Sequence, residues 1–386
     1  MAVTSRRLLQ IPLHADRGIN LVRGEGCYLW DDRGRRYLDL MTNYGVNLLG
    51  HAHPAVTEAI RGQAATLTNA HQSFGSPARD QFLNTLGDML PSSLSRISFG
   101  NSGAEAVEAA LKYARVATGR TGIIAANRAY HGRTFGALAA TSDAKYRDPF
   151  VPMLEGVRHI PFDNVEALEQ VLDASIAAVI IEPIQGEGGV RVPRDGYLRT
   201  IRELCDAHGV LLICDEIQTG FRTGSPFAFS REEITPDILC LSKSIANGLP
   251  MGVTVTTEAV SERIPKGSHG STFAGNPLVC AAATATLGVL HDDRLHHDAG
   301  KKGERFQDRV RALASPQVRE VRGRGLMVAV ELKKPATPVI RAMQAEGVLA
   351  LPGGSTVIRF LPSILIDDRQ LDEGVAVLAD AISGAA

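Results

Sequence analysis

Short apolar runs alternate with helical patterns through the middle of the chain, from about residue 96 onward. The helical pattern of residues 197–208 places Leu198, Ile201 and Leu204 on one face and ends at Gly209. Continuous apolar strands that alternate with helices predict a mainly parallel sheet covered on both faces. The predicted strands are residues 97–99, 122–126, 177–181, 210–214, 238–241 and 253–257.

The two ends of the chain show other patterns. Residues 28–40 alternate around the turn Asp32-Arg33-Gly34 and predict a hairpin, and Pro54 is expected to open a helix. After about residue 277 an alanine-rich helix leads into helices and a few strands, including 348–351, which predicts a smaller α+β domain. We therefore expect an N-terminal segment, 1–43, packing with the small domain, a large domain, 44–278, and a small domain, 279–386.

Length and composition indicate a globular protein of about two domains. The chain has 386 residues, of which 44% are hydrophobic and 22% are charged, so a well-packed core is expected. A formal net charge of -1 gives no reason to expect nucleic acid or an anionic membrane as a partner.

The spacing of the cysteines and the N-terminal residues indicate in which cellular compartment the protein is expected. The five cysteines form no CxxC pair, so we expect buried free thiols in a reducing compartment rather than disulfides or a zinc site. Residues 1–14 hold two arginines but no continuous apolar segment, which is not typical of a signal peptide. No stretch approaches the length of a transmembrane span. We expect a cytoplasmic protein.

Lys243 stands where an open α/β sheet places its ligands. It follows the apolar strand 238–241 and precedes a run of turn formers at 247–252. A lysine that is partly desolvated there would have a pKa below about 10.4 and could act as an amine nucleophile. Taken alone, such a lysine is more often an ordinary surface residue.

A helix start and a strand end add two further functional groups. The segment 100–105 follows a strand and opens a helix, so its N–H groups and the Ser102 hydroxyl form a natural anion site. It lacks the lysine of a Walker loop and the GxGxxG of a dinucleotide fold. Asp215 ends the strand 210–214, where a carboxylate either pairs with a cation or has a raised pKa.

The cation beside Asp215 could be a metal ion or a protonated ring nitrogen. No cluster of His or Cys residues supplies metal ligands, which favours the ring nitrogen. A lysine amine, a strand-end carboxylate and a phosphate-binding helix start together match pyridoxal 5′-phosphate, which carries an aldehyde, a pyridine nitrogen and a phosphate.

Several strings of the chain, in order, resemble the class III, or ω-amino-acid, aminotransferases of the pyridoxal phosphate fold-type I superfamily. The resemblance runs from Gly24 to Ile366 and is carried by residues 99–105, 130–132, 185–189, 211–220, 239–252, 269–273 and 358–362. It implies an α/β fold, with a large domain built on a mainly parallel, seven-stranded type of sheet and a smaller α+β domain.

The resemblance also implies roles at the cofactor. Lys243 would bond to the aldehyde of pyridoxal 5′-phosphate, and Asp215 would pair with the pyridine nitrogen; these are the two implied catalytic residues. Gln218 would lie near the phenolic oxygen, and Tyr130 would stack on the ring. Thr272 would reach the phosphate held by a second subunit, which implies a homodimer. The implied cofactor-binding residues are Ser102, Gly103, Ala104, Tyr130, His131, Asp215, Gln218, Lys243 and Thr272.

Three residues are implied at the substrate. Arg359 resembles the arginine that clamps the α-carboxylate of glutamate, since a guanidinium fork suits a planar carboxylate. Glu187 resembles the glutamate that pairs with this arginine when the other substrate is bound. Arg133 would take the distal carboxylate of that substrate.

The implied reaction is transfer of a terminal δ- or ε-amine from an N-blocked diamino acid to 2-oxoglutarate, giving a semialdehyde and glutamate, as in arginine- or lysine-type biosynthesis. Within the family the chain resembles members that act on acetylornithine or on lysine held by an amino-group carrier protein. Ornithine-type or 4-aminobutyrate-type transamination and a 2,1-aminomutase remain alternatives on the same fold.

The residues around the entrance of the site are expected to determine which amino donor the enzyme accepts. Such carriers are acidic, and the string 350–362 resembles the carrier-linked enzymes more closely, so we expect a carrier-linked donor with measurable activity on acetylornithine. The rim is expected to involve residues 69–79 and the hairpin arginines Arg33, Arg35 and Arg36. The chain departs from the family pattern at Asn247, at Ser363 and at Tyr130, where glycine, proline and phenylalanine are common.

Overall fold

The computed structural model describes residues 10–384, apart from the side chain of residue 293, and contains three β-sheets in this range. Residues 1–9 and 385–386 lie outside the described residues. Part of the predicted N-terminal segment 1–43, most of the stretch behind the signal-peptide argument and the last two residues of the predicted small domain therefore lie outside them as well.

The first part of the chain forms a small sheet and short helices. The antiparallel pairing of Tyr28 with Leu38 confirms the predicted hairpin, and Pro54 opens its helix as expected. The elements are β1 (Leu21–Glu25), β2 (Tyr28–Asp31), β3 (Arg36–Asp39), the single turn α1 (Thr42–Gly45), α2 (Pro54–Ala64) and α3 (Pro77–Gly87).

The central part alternates strands and helices, as the apolar pattern predicts. Its elements are β4 (Leu94–Gly100), α4 (Gly103–Thr118), β5 (Gly122–Ala126), α5 (Phe135–Ala140), α6 (Ala144–Arg147), β6 (Val157–Ile160), α7 (Val165–Glu169), β7 (Ile176–Ile181), α8 (Tyr197–His208), β8 (Leu211–Asp215), β9 (Ile238–Leu241), β10 (Gly252–Thr257) and α9 (Glu258–Ser261). Short 3-10 turns cover Asp148–Phe150, Ala228–Glu232 and Lys243–Ala246.

The large sheet has seven strands in the order β4-β10-β9-β8-β7-β5-β6. Strand β10 is antiparallel to both its neighbours, and the remaining pairs are parallel, so the mainly parallel sheet is confirmed. Every residue of β7 and β9 is buried, because a parallel sheet is covered on both faces. Strand β6 was not predicted, since as an edge strand it carries the mixed sequence VRHI.

The last part forms a four-stranded sheet with flanking helices. Its elements are α10 (Pro277–Leu290), α11 (Asp293–Ala312), β11 (Val318–Arg324), β12 (Met327–Leu332), α12 (Ala336–Ala345), β13 (Val348–Leu349), β14 (Leu351–Pro352), β15 (Val357–Phe360) and α13 (Asp368–Gly384). The prediction of one strand over 348–351 was wrong: β13 pairs with β3 and β14 pairs with β15, so the chain changes sheets at Ala350. The three-part domain division stays a prediction.

The cysteine side chains lie in the interior of the protein. All five cysteines are free and buried, which confirms the expectation of buried thiols. Burial raises the pKa of Cys27 to about 11 and those of Cys205 and Cys280 to about 12.

Among residues 10–384, no helix has both the length and the apolar character that crossing a membrane requires.

Candidate active site

A cavity of about 700 Å³ opens at the carboxyl ends of the central strands of the large sheet. Asp215, the last residue of β8, lines it together with Glu182 and Ser242, which directly follow β7 and β9. This is the edge where open α/β sheets bind ligands. The predicted site residues that line this cavity are Gly103, Ala104, Tyr130, His131, Arg133, Glu187, Asp215, Gln218 and Lys243.

Lys243 enters the cavity from a strained backbone. Its φ of 42° lies in the left-handed region, which a residue with a side chain rarely adopts, and a 3-10 turn begins at this residue. Burial, followed by the positive charge of Arg359, lowers the pKa of Lys243 to about 8 although Glu187 acts in the opposite direction. The fraction of Lys243 present as the free amine near neutral pH is therefore much larger than for an ordinary lysine, which favours its use as a nucleophile or base.

Asp215 is held by a buried histidine. One carboxylate oxygen lies 2.7 Å from His131 Nδ1, and the other accepts from the backbone N–H of Ile217 at 3.1 Å. Burial alone would lower the pKa of His131, but the hydrogen bond and charge of Asp215 raise it. These contacts fix the orientation of the carboxylate at the cavity wall.

The N-terminus of α4 forms a close-fitting backbone cradle. Ser102 is the N-cap, and its hydroxyl accepts from the N–H of Glu105 at 3.2 Å, so it is engaged within the helix. A Cβ at Gly103 would lie 2.9 Å from the Ile217 side chain, and one at Gly132 would lie 2.7 Å from the Ala104 side chain. These close approaches, and the φ of 134° at Gly132, favour glycine at both positions, and the first helix residues Gly103 and Ala104 line the cavity.

Arg359 and Glu187 form an ion pair beneath the cavity. Arg359 is fully buried on β15; its Nη2 donates to Glu187 at 2.6 Å and its Nη1 donates to Gln218 Oε1 at 2.8 Å. Burial would raise the pKa of Glu187, but the positive charges of Arg359 and Lys243 lower it. Glu187 and Arg359 are therefore in contact, as the resemblance implies for the half-reaction with the terminal-amine donor.

Arg133 lies against two tyrosines on another side of the cavity. Its guanidinium carbon is 4.6 Å from the centre of the Tyr146 ring, and Tyr130 meets that ring edge-on at 5.7 Å. Cations are attracted to aromatic faces. Tyr146 was not predicted as a site residue, although it supports both Arg133 and Tyr130.

Some predicted residues stand apart from the cavity. Thr272 is exposed in a loop and does not line it, and the Ser102 hydroxyl is directed into its own helix. The same holds for the residues expected at the rim: neither residues 69–79 nor the hairpin arginines line this cavity. Arg36 instead lies 4.4 Å from the centre of the Tyr28 ring and 3.6 Å from Glu373.

Glu182 is a cavity residue that sequence reasoning missed. Its two carboxylate oxygens accept from the backbone N–H groups of Tyr130 and Gly186, each at 2.9 Å, so it joins the two loops that carry Tyr130 and Glu187. Burial raises the pKa of Glu182 to about 7. The rule that points to Asp215, a carboxylate at the end of an apolar strand, points equally to Glu182.

Tyr44 also lines the cavity, and the sequence gives no signal for it. Residues 42–45 form a left-handed turn with φ values of 39°, 50°, 61° and 85°. The turn is held by Thr42, whose hydroxyl donates to the Leu361 carbonyl at 2.6 Å and whose N–H donates to Asp39 at 2.9 Å. Three consecutive non-glycine residues in this conformation depend on contacts of this kind, of which the bond to Leu361 is the long-range one.

Two departures from the family pattern have a shared structural role. Asn247 has a φ of 42°, which asparagine tolerates better than most residues, and its side chain bonds to the N–H of Leu49 and the carbonyl of Gly50. The hydroxyl of Ser363 donates to the Leu48 carbonyl at 2.8 Å. Through these hydrogen bonds, Asn247 and Ser363 both stabilise the loop 48–50.

The groups around the cavity fit pyridoxal 5′-phosphate. A lysine amine of lowered pKa, a fixed carboxylate and a glycine-lined helix start converge on one space, and each matches one reactive or charged part of that molecule. Neither a metal ion nor a nucleotide bound in the cavity would require a lysine of lowered pKa in the cavity wall. The fold and the site together define a pyridoxal-phosphate-dependent enzyme.

Comparison with known proteins gives the family. The family model for class-III aminotransferases matches residues 13–382, and the chain belongs to that family, whose cofactor is pyridoxal 5′-phosphate. The chain is 44% identical to the acetylornithine aminotransferase of Methanopyrus kandleri, with 94% of each chain covered. It is 42% identical to the [LysW]-aminoadipate semialdehyde/glutamate semialdehyde transaminase of Sulfolobus acidocaldarius, with 96% and 97% covered.

A solved structure agrees with the fold and the cofactor. The ornithine aminotransferase of Toxoplasma gondii, with pyridoxal phosphate partly occupying its active site, superposes with a TM-score of 0.92 at 35% identity. The aligned region covers 96% of this chain and 91% of that one. The protein is therefore an aminotransferase of fold-type I.

Proposed function

We propose that the protein transfers the terminal δ- or ε-amine of an N-blocked diamino acid to 2-oxoglutarate, producing a semialdehyde and glutamate. The observation that carries this proposal is the Arg359–Glu187 pair at 2.6 Å beside Lys243. A site that alternates between a terminal amine and a dicarboxylate needs an arginine that is free for one substrate and neutralised for the other. A 2,1-aminomutase needs no such alternation.

The cofactor, when bound, supplies an aldehyde that takes up the amine and a ring that accepts the electron pair released from carbon. Lys243 removes the proton from the carbon that bears nitrogen and later returns one, which suits an amine of pKa about 8. Asp215, oriented by His131, keeps the ring nitrogen protonated. Tyr130 would support the ring face, and the N–H groups of Gly103 and Ala104 would bind the phosphate.

Substrate recognition follows from the arginines. Arg359 takes the α-carboxylate of glutamate or 2-oxoglutarate once Glu187 turns away, and a fully buried guanidinium makes this contact strong and directional. Arg133, held by Tyr146, takes the distal carboxylate of the same substrate. With a terminal amine as donor, Glu187 stays on Arg359, because this end of the donor bears no carboxylate.

The donor is one of the two that the relatives' names suggest: acetylornithine, or a diamino acid held by an acidic amino-group carrier such as LysW. Both present a primary amine at the end of an aliphatic chain with a blocked α-nitrogen. The ratio of kcat/KM for acetylornithine to that for the carrier-linked donor identifies the native one, and activity on free ornithine alone would contradict a blocked donor.

We also propose that the enzyme is a cytoplasmic homodimer. Thr272 is exposed and absent from the cavity of its own chain, which leaves it available to a second copy. The five buried free thiols are typical of a reducing compartment. Sedimentation velocity of the purified enzyme tests the assembly, and a monomer would contradict it.

The two half-reactions should respond oppositely to the paired residues. Arg359→Ala should slow the glutamate half-reaction by about 10²-fold or more, because a buried, charge-assisted carboxylate contact is lost. The acetylornithine half-reaction should fall far less. Glu187→Ala should leave Arg359 unpaired and improve glutamate relative to acetylornithine. Stopped-flow measurements of each half-reaction with a single substrate give both rates.

Arg359→Lys serves as the matched control, since it keeps the buried positive charge but lacks the fork that binds a carboxylate in two places. It should fall between the parent enzyme and Arg359→Ala for glutamate. If each of the variants Arg359→Ala and Glu187→Ala slowed both half-reactions equally, the proposed exchange of Arg359 between Glu187 and the substrate carboxylate would be wrong.

A further inference from the structure

Glu187 lies in a tight turn, residues 185–191, which we call the Glu187 turn. Gln185 and Arg191 close it through two backbone hydrogen bonds of 3.0 Å. Val190 has a φ of 51°, in the left-handed region that a β-branched residue rarely adopts. Because such a conformation costs free energy, contacts from outside the turn are needed to hold it.

Arg322, on β11, holds the backbone of the Glu187 turn. Its Nη2 donates to the Gly189 carbonyl at 2.7 Å, and its Nε donates to the carbonyls of Gly189 and Val190, each at 3.1 Å. Arg322 is buried and does not line the active-site cavity. Any effect of Arg322 on the substrate therefore passes through the turn.

The same four-stranded sheet carries Arg322 and Arg359. Arg322 of β11 lies opposite Ala329 of β12, and Ala329 lies opposite Arg359 of β15. Directly opposed residues point to the same face of a sheet, so the two arginines extend from one face, with their backbones about 10 Å, or two strand spacings, apart. Arg359 binds the side chain of Glu187, and Arg322 binds the backbone of the turn that carries it.

Apolar packing keeps the Glu187 turn against this sheet. Val190 is fully buried in one cluster with Ala329, the residue that lies between the two arginines. A Cβ at Gly189 would lie 3.3 Å from Arg322 Nη2, so the backbone of the turn is in direct contact with the guanidinium. The side chain of Glu187, in contrast, is 23% exposed and faces the cavity. Rotation of this side chain alone can therefore release the arginine to which it is bound.

Glu331 fixes the other side of the Arg322 guanidinium, whose Nη1 donates to it at 2.6 Å. Burial would raise the pKa of Glu331, but the hydrogen bond and charge of Arg322 lower it. Arg319 also lies 3.3 Å from Glu331, but among residues 10–384 it makes no hydrogen bond to the Glu187 turn. Arg191 lies at 3.3 Å as well, so Glu331 keeps two cationic partners when Arg322 is replaced, and the fold should survive that change.

We propose that Arg322 is a positioning residue: it holds the Glu187 turn where Glu187 meets Arg359, and it thereby sets how strongly the enzyme distinguishes a terminal-amine donor from glutamate. Arg322 acts through Glu187 and touches neither substrate nor cofactor. This inference rests on the proposed function, because it concerns the exchange of Arg359 between Glu187 and the substrate carboxylate.

The test compares the two half-reactions in Arg322→Gln by stopped flow, with acetylornithine or glutamate as the single substrate. A looser turn leaves Arg359 unpaired for more of the time, which favours glutamate. We expect the ratio of the acetylornithine rate constant to the glutamate rate constant to fall about tenfold, the effect of one charge-assisted hydrogen bond. Glutarate, a dicarboxylate that has no amine to transfer, should bind more tightly in calorimetry for the same reason.

Two single variants separate positioning from general stability. Arg322→Lys keeps the charge and a donor for one carbonyl, so it should recover part of the ratio. Arg319→Gln is the matched control, since it removes a charge from the same cluster without touching the turn, and it should keep the parent ratio. A loss of stability alone would slow both half-reactions by the same factor.

The double variant Glu187→Ala/Arg322→Gln shows whether Arg322 acts through Glu187. Its ratio should equal that of Glu187→Ala, because the turn then carries no carboxylate to position. A further tenfold change in the double variant would mean that Arg322 acts by another route.

The outcomes separate this inference from the function on which it rests. An unchanged ratio in Arg322→Gln, equal slowing of both half-reactions, or a further change in the double variant overturns the role of Arg322 and leaves transamination intact. A parent enzyme that reacts with glutamate but with neither acetylornithine nor a carrier-linked donor overturns the proposed function, and this inference with it.

Discussion

A Lys243→Ala variant is expected to lose at least about 10⁴-fold in turnover while keeping its fold, because in the proposed mechanism this one residue supplies both the covalent attachment and the proton transfer. No other lysine lines the active-site cavity in the part of the chain that the structure describes. The pKa of Lys243, lowered to about 8 mainly by burial, would be hard to reproduce by a lysine reaching in from the surface.

Steady-state assays of glutamate formation measure the loss, with circular dichroism as the check on folding. The variant leaves space where the side chain was, so a small primary amine such as ethylamine should restore part of the proton transfer. Lys301→Ala, at an exposed position on α11, is the matched control and should keep full activity. Residual turnover within tenfold of the parent enzyme would show that Lys243 is not the catalytic amine.

An Asp215→Asn variant is expected to lose about 10³-fold or more, because a neutral amide cannot hold the ring nitrogen protonated in a buried site. Asp215 is almost fully buried, and one of its oxygens lies 2.7 Å from His131. The amide keeps the shape of the carboxylate, so the fold and the attachment at Lys243 should survive, and the visible absorption of the bound cofactor reports that attachment.

Single-turnover rates with acetylornithine and with glutamate should fall together in this variant, since both half-reactions use the same ring. Asp173→Asn, at an exposed position, is the control and should behave as the parent enzyme. Near-normal rates in Asp215→Asn with cofactor bound would make Asp215 a structural residue.

The sequence predicts the large sheet well because its strands are buried on both faces. Burial forces continuous apolar runs, and the polar residue that ends such a run stands at the ligand-binding edge, as Asp215 does. Strand β6 escapes this rule as a half-exposed edge strand, and the division of 348–351 between two sheets escapes it because pairing partners are set by tertiary structure.

Local sequence patterns do not predict contacts between distant parts of the chain. Arg359 and Glu187 are 172 residues apart in sequence, and only the resemblance to class III aminotransferases brings them together beforehand. Tyr44 depends on a left-handed turn that a hydrogen bond from Thr42 to the distant Leu361 carbonyl holds in place. The hairpin arginines do not line this chain's cavity, so their place at the rim of the site stays a prediction.

The site itself is tested most directly by locating the cofactor on the chain. Sodium borohydride reduces the linkage between the cofactor and its lysine to a stable amine, and mass spectrometry of a peptide digest then identifies the labelled residue. We predict one pyridoxyl group per chain, on the peptide that contains Lys243, and loss of that label in Lys243→Ala. A label on any other lysine of the parent enzyme, or no label at all, would contradict the assignment of this cavity as the active site.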